Sequence, residues 1–240
     1  GVAVGDLVEQ SGEMLSVELG PGILSQVYDG LQNPLHRLEV MNGRFLLRGE
    51  VAEALDRNAK WAFVAKGRVK DKLKPGDLLG TVQEGRFTHK IMVPFLLRGV
   101  LTIEWIQEGT FPVETVVARL RDEKGKVHEV SMLQRWPVRI PLPVNLIKNG
   151  SSERKFPTQP IITTLRLIDT FFPIAKGGTG CIPGPFGAGK TVLQNLISRY
   201  SDVDIVIVVA CGERAGEVVE TITEFPKLQD PHTGGTLMDR

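Results

Sequence analysis

Residues 184–191 read Gly-Pro-Phe-Gly-Ala-Gly-Lys-Thr and fit the spacing G-x-x-x-x-G-K-[ST] of a phosphate-binding loop. A di- or triphosphate needs several donors converging on one concavity. Gly184, Gly187 and Gly189 let the backbone wrap closely and turn its N–H groups inward. A helix beginning near Lys190 would add its positive N-terminal end. Lys190 is expected to reach the β- and γ-phosphates, and the Thr191 hydroxyl to ligate Mg²⁺, which prefers oxygen donors. The expected nucleotide-contacting set is Gly184, Pro185, Phe186, Gly187, Ala188, Gly189, Lys190, Thr191 and Val192, with ATP or ADP as ligand and Mg²⁺ as its ion. A second constellation, Cys211-Gly212-Glu213-Arg214, follows an apolar run. Glu213 could orient the water that attacks a phosphoryl group, and Arg214 could offset phosphate charge. Spacing alone equally allows Glu213 to be a carboxylate favouring the start of the next helix.

These residues need elements to hold them. Ile161, Leu165, Ile168 and Phe172 recur at helical spacing, and Pro173 stops the pattern. A Gly-rich strand and loop span 177–189, and Val192, Leu193, Leu196, Ile197 and Tyr200 then line one face of a helix. Residues 204–210 form a short β-branched run that predicts a strand buried on both faces. Ala215, Val218, Val219, Ile222 and Phe225 form a further helical stripe ended by Pro226. Strand, helix, strand, helix implies a βαβ unit with a parallel sheet. In such sheets ligands bind beyond the carboxyl ends of the strands, which sets Glu213 and Arg214 on the edge that carries the loop.

The first 145 residues are punctuated by Gly and Pro at short intervals, the pattern of many short strands. Pro75-Gly76 suits a type II turn. Leu101, Ile103 and Trp105 alternate with polar residues, and 115–120 and 127–140 read as further strands. Residues 51–62 fit helix or loop. Leu146 to Pro160 reads as a linker between a β-rich part and an α/β part.

With 29 Lys+Arg, 28 Asp+Glu and a net charge of +1, the 240-residue chain lacks the basic surplus of a dedicated nucleic-acid binder. Its longest apolar run, Ile205 to Cys211, is far shorter than a membrane span. Cys181 and Cys211 make no disulfide framework and are expected to be packed, reduced thiols. His36, His89, His128 and His232 have no metal-ligand spacing, and the basic run Lys66, Arg68, Lys70, Lys72, Lys74 reads as a solvated face.

The sequences GPFGAGKT at 184–191 and CGERAGEVVETITEFPKLQDPHTGGTLMDR at 211–240 resemble the catalytic A subunit of V-type rotary ATPases. SVELGPGILSQVYDGLQNPL at 16–35 is similar to the segment after that family's N-terminal barrel, HKIMVP at 89–94 and WPVRIPLPV at 136–144 to its bulge insertion, and LIDTFFPIAKGGT at 167–179 to the lead-in to its phosphate loop. The family commonly has Gly-Asn where Ala215 and Gly216 stand here.

The resemblance implies a barrel exit and connector over 1–35, a β-rich bulge domain over 36–143, and the first part of a RecA-like nucleotide-binding core with a parallel sheet over 144–240. The bulge strands around 74–80 and 89–94 are also similar to barrel-sandwich (lipoyl-like) folds, where Lys90 reads as an ordinary solvated lysine rather than a modified one. By resemblance, Glu213 is the catalytic glutamate, Lys190 and Arg214 act on the phosphates, Thr191 takes the metal, and Phe186 is characteristic of the A subunit. It further implies ATP hydrolysis or synthesis coupled to H⁺ or Na⁺ transport, with a B subunit, a central stalk and peripheral stator subunits as partners. The expected location is cytoplasmic, peripheral to the membrane, with no direct insertion. The chain is expected to be an internal portion of such a subunit, inactive alone. An interaction module, or an F-type or Rho-like hexameric ATPase, is the alternative reading.

Overall fold

Ten short strands among the described residues build the first part of the chain. The computed structural model describes residues 3–10, 12–43, 49–141 and 156–239. The chain divides into two compact units, Gly1–Glu153 and Arg154–Arg240. The expected linker at 146–160 lies outside the described residues up to 155.

In the first unit β1 (Ser16–Leu19) is followed by helix α1 (Leu35–Asn42) and then β2 (Lys60–Ala65), β3 (Lys72–Leu73), β4 (Leu78–Glu84), β5 (Phe87–Met92), β6 (Leu101–Ile106), β7 (Gly109–Pro112), β8 (Val116–Arg121), β9 (Val127–Ser131) and β10 (Gln134–Pro137). They form antiparallel sheets in the orders β5-β4-β2-β7 and β3-β6-β8-β9, with β1 paired to β10. Apolar residues cluster in two groups. One holds Leu79, Val93, Leu101, Ile103, Ala118, Leu120 and Val130, the other Phe63, Val82, Ile91, Val117 and Met132, and half-buried Ile106 packs against both. The ambiguous stretch 51–62 is loop until β2 begins at Lys60.

The turn chemistry follows the sequence. Gly76 has φ 89°, and the Asp77 N–H donates to Lys74 O at 3.0 Å. Alternation along β6 does not persist. Leu101 and Ile103 are buried, but the register with β8 shifts between Ile103 and Trp105, and Trp105 emerges on the solvent side beneath the Arg119 guanidinium. A bulge re-aims the side chains that follow it, so a strict period of two ends there. Lys90 lies exposed inside β5, opposite Thr81, while Gly85 and Arg86 make the hairpin loop. The five cations of the run 66–74 are all exposed, as a solvated face requires.

Two clasps fasten the early segment to this unit. Glu18 on β1 accepts from Arg57 at 2.6 and 2.7 Å and from Arg135 on β10 at 3.3 Å. Glu84, 6% exposed, accepts from the N–H groups of Gly22 and Leu24 at 2.7 and 3.1 Å and lies 2.7 Å from His89 Nδ1. Burial raises the Glu84 pKa, yet the bonds from His89, Leu24 and Gly22 outweigh it and hold the carboxyl below the usual glutamate range.

The second unit contains α2 (Arg166–Phe171), α3 (Lys190–Tyr200), α4 (Ala215–Glu224) and a 3-10 turn (Leu237–Asp239). The first helix is shorter than its apolar spacing suggests. Thr163 donates its N–H and hydroxyl to Asp169 Oδ1 at 3.0 and 2.6 Å, and Thr164 has φ 63°, so the chain enters the helix only after that left-handed step. Pro173 follows its end, as expected.

The parallel ladder expected in this unit has no counterpart among the described residues, where every ladder between strands is antiparallel. Residues 204–210 pair with no strand there, and Ile207 and Val209 are 82% and 79% exposed. A parallel strand is buried only when neighbours bond both of its edges and helices cover both faces. The same openness corrects the expectation of packed thiols, since Cys181 and Cys211 are both exposed.

Candidate functional site

The phosphate-loop residues sit where a turn hands over to a helix. Ala188 N–H donates to Pro185 O at 3.3 Å and Gly187 has φ 79°, which closes a turn with Phe186 at its first central position. Gly189 caps α3 with φ 79° and ψ 19°, a left-handed conformation that glycine adopts without a Cβ clash. The Leu193 N–H donates to Gly189 O at 3.0 Å, so the helical bonds begin there. The first N–H groups of α3 therefore have no partner within the helix and carry its positive end. A Cβ on Gly184 would lie 3.0 Å from Ala188 Cβ, a tight contact to which Ala188 would have to yield slightly.

Lys190 Nζ donates to Gly184 O and to Pro185 O, at 2.8 Å each. The ammonium thus lies within the bend of the loop, held by two carbonyls. Thr191 Oγ1 donates to Glu217 Oε2 at 3.3 Å. Glu217 occupies the first turn of α4, where a carboxylate is favoured, and its own N–H donates to Arg214 O at 3.0 Å. Val192 is exposed at 62%, pointing away from any packed face.

Arg214 is the residue before α4, with extended φ −70° and ψ 138°. Its guanidinium carbon lies 4.1 Å from the centroid of the Phe186 ring. The second constellation therefore meets the loop through Arg214. Glu213 is exposed, with no hydrogen bond or ion pair among the described residues, and Gly212 ahead of it has φ 75°. Glu213 is not within α4 and its side chain makes no cap bond at the helix start.

Sequence reasoning passed over Glu217. The signal was present: it stands four residues after Glu213, in the first turn of a helix whose start was expected. Its proximity to Thr191, 26 residues earlier, was not legible without the fold. A hydroxyl and a carboxylate oxygen at this separation are hard donors that suit Mg²⁺.

No helix among the described residues is long and apolar enough to cross a membrane. Residues 52–139 match the ATP synthase alpha/beta subunit barrel-sandwich domain, and residues 164–239 match the nucleotide-binding domain of the ATP synthase alpha/beta family. The chain is 56% identical to the V-type ATP synthase alpha chain of Treponema denticola, 54% to alpha chain 1 of Treponema pallidum and 53% to the alpha chain of Borrelia turicatae. Each alignment covers all of this chain and 40%, 40% and 41% of the relative, so the chain spans about two-fifths of the length of these curated relatives.

Proposed function

Because this chain belongs to the ATP synthase alpha/beta family, we propose that it carries the phosphate-binding part of the catalytic nucleotide site of a V-type rotary ATPase. Residues 184–192 cradle the phosphates of ATP or ADP, their N–H groups and the start of α3 supplying donors. Lys190 leaves the Gly184 and Pro185 carbonyls for the β- and γ-phosphates. Thr191, with Glu217 beside it, would hold Mg²⁺, which neutralises phosphate charge when bound. Glu213, free in solvent, orients the attacking water, and Arg214 offsets charge on the terminal phosphate.

The proposed division of the chain is a connector over 1–35, the bulge over 36–143 and the nucleotide-binding part over 144–240. The barrel-sandwich bulge contributes none of the site residues and is assigned to contact with peripheral stator subunits. Partners in the ring are a B subunit and a central stalk, in an assembly peripheral to a membrane that moves H⁺ or Na⁺.

The observation that carries this reading is the meeting of Arg214 with the loop residue Phe186, which joins the two sequence constellations in space. In the assembled ring, Lys190→Ala should abolish Mg-dependent ATP turnover; wild-type turnover in that variant refutes the assignment. Removing residues 45–135 from the full-length protein should loosen stator attachment and spare ring ATPase, and unchanged attachment would count against the role given to the bulge.

A further inference from the structure

Phe186 occupies a position at which the phosphate-loop pattern asks for no particular residue. The turn closed by Ala188 and Gly187 presents its ring outward, 76% exposed. Arg214 lies over that ring at 4.1 Å, nearer than the other cation–ring pairs among the described residues, at 4.7, 5.4 and 5.2 Å. Two carboxylates stand close by in sequence, Glu213 next to it and Glu217 three residues on. Among the described residues Arg214 forms an ion pair with neither. Glu217 is turned to Thr191 instead, and Glu213 faces solvent.

The choice of a ring over a carboxylate has a chemical consequence. A carboxylate would neutralise the guanidinium and compete with any phosphate for it. An aromatic face attracts the cation through its quadrupole, adds no net charge, and binds weakly enough to release it. It also leaves both carboxylates available. We infer that Phe186 is a positioning residue that holds the Arg214 guanidinium at the rim of the loop, charged and uncommitted, until a terminal phosphate takes it over. This rests on the reading of Arg214 as a phosphate-facing group. Phe186 thereby acts through Arg214 on charge that develops during phosphoryl transfer, so its removal affects turnover more than substrate binding.

The test is steady-state kinetics of the assembled ring with Phe186→Ala, Phe186→Trp, Arg214→Ala and the double variant Phe186→Ala/Arg214→Ala. Because the ring is exposed, truncation opens no buried cavity. Phe186→Ala should lower kcat roughly two- to fivefold, the range of an exposed cation–ring contact, with KM for MgATP little changed. Phe186→Trp, which keeps an aromatic face, should recover that loss. With Arg214 already removed, Phe186→Ala should cost nothing further. An unchanged kcat in Phe186→Ala, failure of Trp to recover activity, or independent multiplication of the two single effects overturns the inference. If Lys190→Ala keeps wild-type turnover, the nucleotide-site reading itself fails; if Lys190→Ala is inactive while the Phe186 effect ignores Arg214, only the positioning role fails.

Discussion

Replacing Glu84 tests how the early segment is fastened to the barrel-sandwich unit. Its Oε1 accepts both the Gly22 and Leu24 N–H groups, while Oε2 faces His89 Nδ1. Bonds to a charged acceptor contribute about 1.5–3 kcal/mol each, less where water can replace the lost partner. Gly22 and Leu24 are only part-buried. Glu84→Ala should therefore cost about 3 kcal/mol in all, toward the low end for two such bonds. Glu84→Gln keeps an amide oxygen for the two N–H groups and should cost about 1 kcal/mol. The pH dependence has a definite sign. A carboxyl whose pKa is lowered on folding stabilises the fold above the unfolded value, and that contribution disappears as pH falls through the folded value. Acid loosening of this clasp should thus set in as pH falls below the ordinary glutamate range in the wild type and be absent from Glu84→Gln. Amide hydrogen exchange on the whole chain reads both effects at Gly22 and Leu24. Protection there should fall at least about tenfold in Glu84→Ala, the equivalent of 1.4 kcal/mol of local opening. Unchanged protection of those two amides, or identical acid profiles for wild type and Glu84→Gln, would refute the argument.

Other expectations follow from single contacts. Gly80→Ala places a Cβ 2.3 Å from Phe63 Cζ and 2.6 Å from Val64 O, so it should destabilise the first unit by about 3 kcal/mol in urea unfolding. Gly184→Ala crowds Ala188 and should weaken MgADP binding severalfold, measured by calorimetry on the full-length protein, without moving the thermal midpoint. Glu217→Gln should raise the Mg²⁺ concentration needed for tight ADP binding by about tenfold, while Mg-free ADP binding stays as it was. Ile207→Lys, at a site 82% exposed, should change the stability of this 240-residue chain by less than about 0.5 kcal/mol; a loss of several kcal/mol would show the run to be packed after all.

Local rules made part of this protein readable from its residues. The glycines and proline of 184–189 prescribe a turn that only small or φ-restricted residues make easily, and the structure closes it there. The starts of α3 and α4 fall where an apolar stripe begins, and Pro173 and Pro226 follow the ends of α2 and α4. The strands of the first unit are bounded by turn residues, and Leu101, Ile103 and Leu120 are buried as alternation implies. Where a non-local partner was needed, the pattern misled. Trp105 left the core because a bulge, set by the pairing of β6 with β8, changed which face it lies on. Thr163 and Asp169 cut the first helix of the second unit short through a bond that apolar spacing cannot register.

The apolar run at 204–210 marks the limit most clearly. Its composition is that of a buried strand, but burial is a property of the surroundings, and among the described residues no neighbouring ladder covers it. The sequence by itself determined the turn that leads into α3, because residues 184–191 form a contiguous motif whose geometry follows from local backbone freedom. Only the tertiary structure decided that Arg214 rests on Phe186 and Thr191 on Glu217. Those contacts join residues 26 to 28 positions apart, a separation that no local pattern registers.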